Sequence, residues 1–238
     1  MRVLAIDSAT STASLALLQD ELLLGCSMVL SPKGHTVSLV GDVERLLSSV
    51  GISLADVDAF AVGLGPGSFT GVRAGLAVAK GLALGTGKPL YGVGSLDALA
   101  QGMVGCSGII AAITDGRREE VFASVFRASD GGHERVIDAI NERPERIGAV
   151  LAERFAGERV WVVGDLDASL RARVVLGAGS LSLSFAPRAM GTPDARWIAR
   201  EALAGRAVLD DGSMEPTYVR PMDAKLPAAR RPIVAEPG

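Results

Sequence analysis

Two acidic turns and one glycine-rich turn hold the residues with most chemical potential in this chain. Asp7-Ser8-Ala9-Thr10 joins two apolar runs, Arg2–Asp7 and Ala13–Leu18. A carboxylate set among backbone amides and hydroxyls in such a turn can hold a hydrated Mg²⁺ while the amides surround a phosphate. Asp115, in Asp115-Gly116-Arg117, repeats the arrangement further along. Two such acids across a cleft would hold a metal-bound triphosphate, although an acid with hydroxyls serves equally as a hydrogen-bonded turn. Asp7, Ser8, Thr10 and Asp115 are therefore candidate nucleotide-binding residues of a weak or vestigial site. Its clamp for the base is incomplete: where a double-glycine turn is needed, the chain reads Val162-Val163-Gly164-Asp165.

The glycine-rich turn is Gly65-Pro66-Gly67-Ser68-Phe69-Thr70-Gly71-Val72-Arg73. Gly65 and Gly67 can take positive φ, Pro66 fixes its own, and Ser68 or Thr70 can cap the free N–H groups of the helix that follows. That helix, expected over Thr70–Leu84, repeats Gly71, Gly75 and Ala79 on one face. Each interior glycine costs about 1 kcal/mol relative to alanine, so the smooth stripe must gain by letting another group approach closely. It is either a phosphate cradle at a helix N-terminus or a packing surface for another helix.

Other chemistries fit less well. A helical metal site built on His35 needs a second ligand three or four residues on, where the chain has Ser38 and Leu39. His133, beside Asp130-Gly131-Gly132, reads as a solvated turn residue. Ser68 lacks the following glycine of a nucleophile elbow and reads as a cap. Cys26 and Cys106 have no C-x-x-C spacing and read as buried free thiols. No metal site or nucleophile is read from these residues, although the paired acids by themselves would permit an active site.

Regular elements must hold these turns. Arg2–Asp7, Ala13–Leu18 and Leu22–Met28 read as strands, the last two around Gln19-Asp20-Glu21. After Ser31-Pro32-Lys33-Gly34, residues Thr36, Leu39, Val40, Val43, Leu46, Leu47 and Val50 recur at helical spacing up to Gly51. A strand over 57–64, the small-residue helix, a strand over 89–93 and a helix over 95–101 follow. From Ser107 the pattern restarts with strands 109–114 and 120–127, a helix from Pro144 to Arg154, a strand over 160–163 and a helix over 193–203. The expectation is an α/β fold of two lobes with mixed sheets flanked by helices. The first lobe covers 1–104, and the second, a reduced copy over 105–238, ends in an extended tail after about 220.

With 48% hydrophobic and 21% charged residues in 238, a sizeable core can form. The longest apolar stretches are broken by Asp7 and Lys80, so no membrane span is expected and a cytoplasmic location fits. A net charge of −3 supplies no basic field of the kind that dominates nucleic-acid affinity, so any service to RNA is expected through a partner.

The chain resembles the TsaB (YeaZ) family, small actin-like proteins of bacterial threonylcarbamoyladenosine (t6A) synthesis. The resemblance rests on Leu4-Ala5-Ile6-Asp7-Ser8-Ala9-Thr10, on His35, and above all on Gly65 through Arg73, which matches the signature GPGSFTG[LV]R in full. Gly81-Leu82-Ala83-Leu84, Ser95 through Ala100, Asp115 through Phe122 and Pro216-Thr217-Tyr218-Val219-Arg220 match as well. It implies two actin-like lobes of the ASKHA, ribonuclease H-like type. It also implies a non-catalytic subunit that binds and stabilises TsaD, the paralogue that transfers threonylcarbamoyl to N6 of adenosine 37 in tRNAs reading ANN codons. The ATPase TsaE would be a further partner and tRNA contact would be indirect; the apolar patch of the pairing helices would also let the isolated chain form a twofold homodimer. Pairing would use the first two helices, through His35, Thr36, Leu39, Val40 and Val43 with Val72, Leu76 and Ala79. TsaD holds its metal with an H-x-x-x-H pair, whereas here position 39 is leucine. The rival readings are an independent ATP-using phosphotransferase built on Asp7, Thr10 and Asp115, and an M22-like metallopeptidase. Whether Arg73, Arg117 or Arg118 touches tRNA stays open.

Overall fold

The structure, a computed structural model, describes residues 1–30, 39–129 and 132–219. Strands β1 (Arg2–Asp7), β2 (Thr12–Gln19) and β3 (Leu22–Leu30) form an antiparallel start, followed by helix α1 (Leu39–Ser49), strand β4 (Ala59–Gly63), helix α2 (Phe69–Thr86), strand β5 (Leu90–Val93) and helix α3 (Ser95–Gln101). Then come β6 (Ile109–Arg117), β7 (Glu120–Ser129), β8 (Gly132–Glu142), α4 (Pro144–Arg154), β9 (Val160–Val163), α5 (Ala168–Ala178), β10 (Leu183–Phe185), α6 (Ala195–Leu203) and β11 (Val208–Leu209). The first sheet has the order β11-β5-β4-β1-β2-β3 and the second β10-β9-β6-β7-β8. In both, an antiparallel pair leads into parallel crossovers: β1 pairs β2 antiparallel and β4 parallel, as β6 pairs β7 antiparallel and β9 parallel.

The central strands are buried on both sides, and side-chain size sorts their faces. Leu4, Ile6, Leu15, Leu17, Phe60 and Val62 form one core with Leu39, Val43, Leu46 and Leu47 of α1 and Leu76 and Ala79 of α2. On the opposite face the alternating positions are smaller, Val3, Ala5, Ala16, Ala59 and Ala61, and α6 lies there through Ala195, Ile198, Ala199 and Ala202. Small residues let a helix approach a sheet closely, which is why this face takes one short helix and the other takes two.

The same logic divides the second sheet. Ile109, Ala111, Ile113, Val121 and Val125 face α4 and α5, whereas Ile110, Ala112, Phe122 and Phe126 face Leu96, Leu99 and Ala100 of α3. Helix α3 thus covers the second sheet and α6 the first, and the two helices touch each other. Arg135 of β8 reinforces the junction by pairing with Asp97 of α3.

The expected division at 104/105 separates strands β1–β5 from β6–β10 but not the helices. Strand β11 pairs β5, and α6 rests on the first sheet, so the chain returns to the first lobe after residue 191. Each sheet needs its inward face covered, and each receives that cover from the other half of the sequence. Among the described residues, no helix is long and apolar enough to cross a membrane. The tail beyond 219 lies outside the described residues.

Candidate functional site

Helix α2 begins where the glycine-rich turn places it. Gly65 has φ +82° and precedes a cis peptide to Pro66. Ser68 is the N-cap, accepting the Gly71 N–H on its hydroxyl at 3.3 Å, and its own N–H donates to the Ala9 carbonyl at 2.7 Å. The Ser8 hydroxyl donates to the Gly71 carbonyl at 2.8 Å.

The smooth stripe fits this contact closely. A Cβ at Gly67 would lie 2.2 Å from the Ala9 carbonyl oxygen, one at Gly71 2.1 Å from the Ser8 carbonyl oxygen, and one at Gly75 2.4 Å from the Ser8 hydroxyl. The group that approaches α2 is the chain's own β1–β2 turn. Two carbonyl oxygens and a hydroxyl of that turn stand along the stripe, in the space another helix would need.

Of the expected partner-facing residues, Leu39, Val43, Val72, Leu76 and Ala79 are buried, at 1%, 2%, 3%, 7% and 0% exposure. This corrects the expected surface: these side chains cover the lobe's own sheet, because the 3.6-residue period turns one row of each helix inward. Val40 is exposed, while His35 and Thr36 lie outside the described residues. The outward row of α2 is Phe69, Arg73, Ala77, Gly81 and Leu84, with Leu84 87% exposed. Gly81 and Gly85 have open space around them.

At the start of this row the Arg73 guanidinium lies 3.8 Å from the Phe69 ring centre, and its Nε donates to the Tyr218 hydroxyl at 3.0 Å. Thr217 donates its N–H to the Leu64 carbonyl, so the chain's last described residues pin this cluster. Further along, Lys80 donates to the Met214 carbonyl at 2.8 Å and stands 3.8 Å from Asp210. Sequence reasoning missed Phe69 and Tyr218 as surface residues; the arginine one turn from an aromatic was the available signal.

The acids of the nucleotide reading stand in unlike surroundings. Asp7 is fully buried; one carboxylate oxygen accepts from the Ser95 hydroxyl at 2.6 Å and the other from the Ala9 N–H at 2.9 Å. Ser95 in turn accepts the Gly65 N–H at 3.1 Å, linking both turns. Thr10 closes its own turn, its hydroxyl bonding the Thr12 N–H and carbonyl, both at 3.2 Å. Asp115 is exposed and accepts the Arg117 N–H at 2.8 Å. The hairpin around it turns through Arg117, Arg118 and Glu119, all at positive φ, so β6 runs past the expected turn to Arg117. At the place of the base clamp, Gly164 is pressed against the Ile113 backbone and Gly191 against Gly164 and Asp165. Asp165 pairs with Arg188.

His133 is not a solvated turn residue. It is the second residue of β8, half-buried, and neither ring nitrogen meets a partner in hydrogen-bonding geometry among the described residues. Burial pushes its pKa below the ordinary value, outweighing nearby carbonyls and Glu201, which favour the charged form. It lines a cleft of about 820 Å³ between the lobes, together with Trp197 and Arg200 of α6. The free cysteines also depart from expectation: Cys26 is exposed and Cys106 half-buried. Among the described residues, no group of three or more histidines, cysteines and acids stands together as a metal site would need.

Two lobes of this topology with paired acidic turns define an actin-like α/β protein. Component A of the (R)-2-hydroxyglutaryl-CoA dehydratase of Acidaminococcus fermentans shares that fold, with TM-score 0.50 at 12% identity over 86% of this chain and 99% of that one. Nearer in structure is YeaZ from Pseudomonas aeruginosa, with TM-score 0.76 at 26% identity over 91% of this chain and 99% of that one. The family model described as TsaD, tRNA N6-adenosine threonylcarbamoyltransferase, matches residues 29–170. The tRNA threonylcarbamoyladenosine biosynthesis protein TsaB of Escherichia coli is 33% identical over 92% of this chain and 95% of its own length. The chain belongs to the TsaB (YeaZ) family of tRNA threonylcarbamoyladenosine biosynthesis proteins.

Proposed function

We propose that this chain is a non-catalytic subunit that binds and stabilises TsaD. In this role it supports threonylcarbamoyl transfer to N6 of adenosine 37 in tRNAs that read ANN codons, without performing it. The observation that carries the reading is what the glycine stripe holds. The stripe is packed on the Ser8 and Ala9 carbonyls, the Ser68 N–H at the start of α2 donates to the Ala9 carbonyl, and Asp7 is committed to Ser95 and Ala9. These contacts disfavour the independent ATP-using reading at its central residues, because a triphosphate would have to displace buried hydrogen bonds.

With its inner row buried, α2 offers a partner its outer one: Phe69, Arg73, Ala77 and Leu84, extended by Val40 of α1. An 18-residue helix is about 27 Å long, enough for the spine of an interface that must bury roughly 1,000 Å². Arginine beside aromatic rings is the residue mix that anchors such surfaces. TsaE is a further partner in this reading, tRNA is reached through TsaD, and the working location is the cytoplasm.

The test is co-elution with TsaD and reconstitution of t6A formation. Leu84→Glu and Phe69→Ala should weaken both while leaving the fold intact. Full activity of TsaD without this chain, or turnover by this chain alone, overturns the proposal.

A further inference from the structure

Helix α2 carries two cations, Arg73 and Lys80, and no acid. Lys80 is taken up by the Met214 carbonyl and Asp210. Arg73 lies in the outer row, whose other members, Phe69, Ala77, Gly81 and Leu84, are uncharged. One face of its guanidinium lies on the Phe69 ring, and the Tyr218 ring centre is 5.9 Å away. Stacking of this kind leaves the N–H groups at the edge of the guanidinium available. On one side that edge is closed, because Nε donates to the Tyr218 hydroxyl at 3.0 Å. The two terminal nitrogens meet no acceptor among the described residues. Held in one plane, they match the two oxygens of a carboxylate.

Helix α2 does not make this arrangement by itself. Tyr218 lies 145 positions from Arg73 in sequence and reaches it on a strap, residues 214–219, that is fastened on either side of the ring. Met214 is seated in the first core, the Thr217 N–H donates to the Leu64 carbonyl at 2.8 Å, and Val219 packs on the cluster between α3 and the second sheet. The hydroxyl is therefore fixed in place although the ring is exposed. An arginine already held in one geometry loses less side-chain freedom on docking than a free one.

We propose that Tyr218 positions Arg73 as a carboxylate-binding fork on the outer face of α2, and that the partner docks there with an acidic side chain flanked by apolar ones. This role rests on the reading of TsaD as the partner and adds to it the chemistry of the contact. A carboxylate suits the site better than the phosphates of an RNA. One cation in an apolar row is too little charge for a nucleic-acid backbone, which is bound through several at once. A stacked, hydrogen-bonded arginine among apolar side chains is instead the kind of residue that dominates the energy of a protein interface.

The test is calorimetric titration of the full chain with TsaD over a salt series, together with NMR measurement of Arg73 Nε–H exchange in the chain alone. Tyr218→Phe keeps the ring and the charge. It should raise the dissociation constant about threefold to tenfold, leave the salt dependence unchanged and speed exchange of the Nε–H with water. Arg73→Lys keeps the charge but not the fork, and should raise the constant about tenfold or more. Arg73→Gln should raise it about thirtyfold or more and flatten the salt dependence. Melting temperatures should stay at the wild-type value, since both side chains are exposed. A wild-type chain that does not bind TsaD overturns the partner reading and this role together. Three results overturn the fork alone: TsaD binding that tolerates Arg73→Lys and Tyr218→Phe, Nε–H exchange unchanged in Tyr218→Phe, or Arg73 variants that weaken tRNA retention while TsaD affinity stays intact.

Discussion

Ser8 and Gly71 hold each other at the centre of the first lobe: the Ser8 hydroxyl donates to the Gly71 carbonyl at 2.8 Å, and the Ser8 carbonyl oxygen fills the space a side chain at 71 would need. The contact fixes the start of α2 on the turn after β1 and decides which way the helix faces. Contacts of this kind make the consequences of substitution along one helix opposite in sign.

Gly71→Ala should destabilise the fold by about 2 kcal/mol or more, since a Cβ there would overlap backbone that cannot yield cheaply. Gly81→Ala, on the same helix with open space around it, should stabilise by up to about 1 kcal/mol. Denaturant midpoints of the two variants test the pair.

Leu76→Glu should unfold the first lobe, because it buries an unpaired charge at a position 7% exposed. Leu84→Glu, at 87% exposure, should change stability by less than about 0.5 kcal/mol. Circular dichroism melts separate the outcomes before any binding assay is read.

Ser95→Ala should cost about 1–3 kcal/mol by leaving the buried Asp7 carboxylate short of a donor. Because Asp7 is occupied structurally in this way, adding MgATP to the wild-type chain should leave its melting temperature unchanged. An upward shift that vanishes in Asp7→Asn would show that the carboxylate serves a nucleotide.

His133 should make the fold acid-sensitive. Its pKa in the folded chain lies below 6.5, so the unfolded chain binds the proton more readily. Stability is complete above that value and falls as pH drops from it toward the lowered one. The Glu201 carboxylate and the Ala100 and Met103 carbonyls, from α6 and the end of α3, limit the loss by favouring the charged ring. His133→Phe should flatten the stability difference between about pH 7 and pH 5 relative to wild type, measured by denaturant titration at each pH.

Much of the fold was legible. Strands β1–β5 of the first sheet, the glycine turn and the helices α2, α3 and α4 follow from apolar periodicity and capping residues, and the nine residues from Gly65 to Arg73 carried the family. Strand β8 was not legible, because the charged residues that protect an edge also erase its alternation. Helix α5 was missed for a related reason: Val175 and Leu176 point outward while Gly177 packs on the Glu145 carbonyl, so its apolar face is blurred.

By itself the sequence determined that a smooth stripe of Gly71, Gly75 and Ala79 demands a close neighbour, and that α1 and α2 each have an apolar row. Only the tertiary structure decided that the neighbour is the chain's own Ser8-Ala9 turn and that the row of Leu39, Val43, Val72 and Leu76 is core. The physical reason is that a helical period specifies which residues share a face but not what that face meets. The meeting is fixed by where β1 ends and α2 begins, a relation between segments sixty residues apart, as the Ser8–Gly71 bond spans 63 positions.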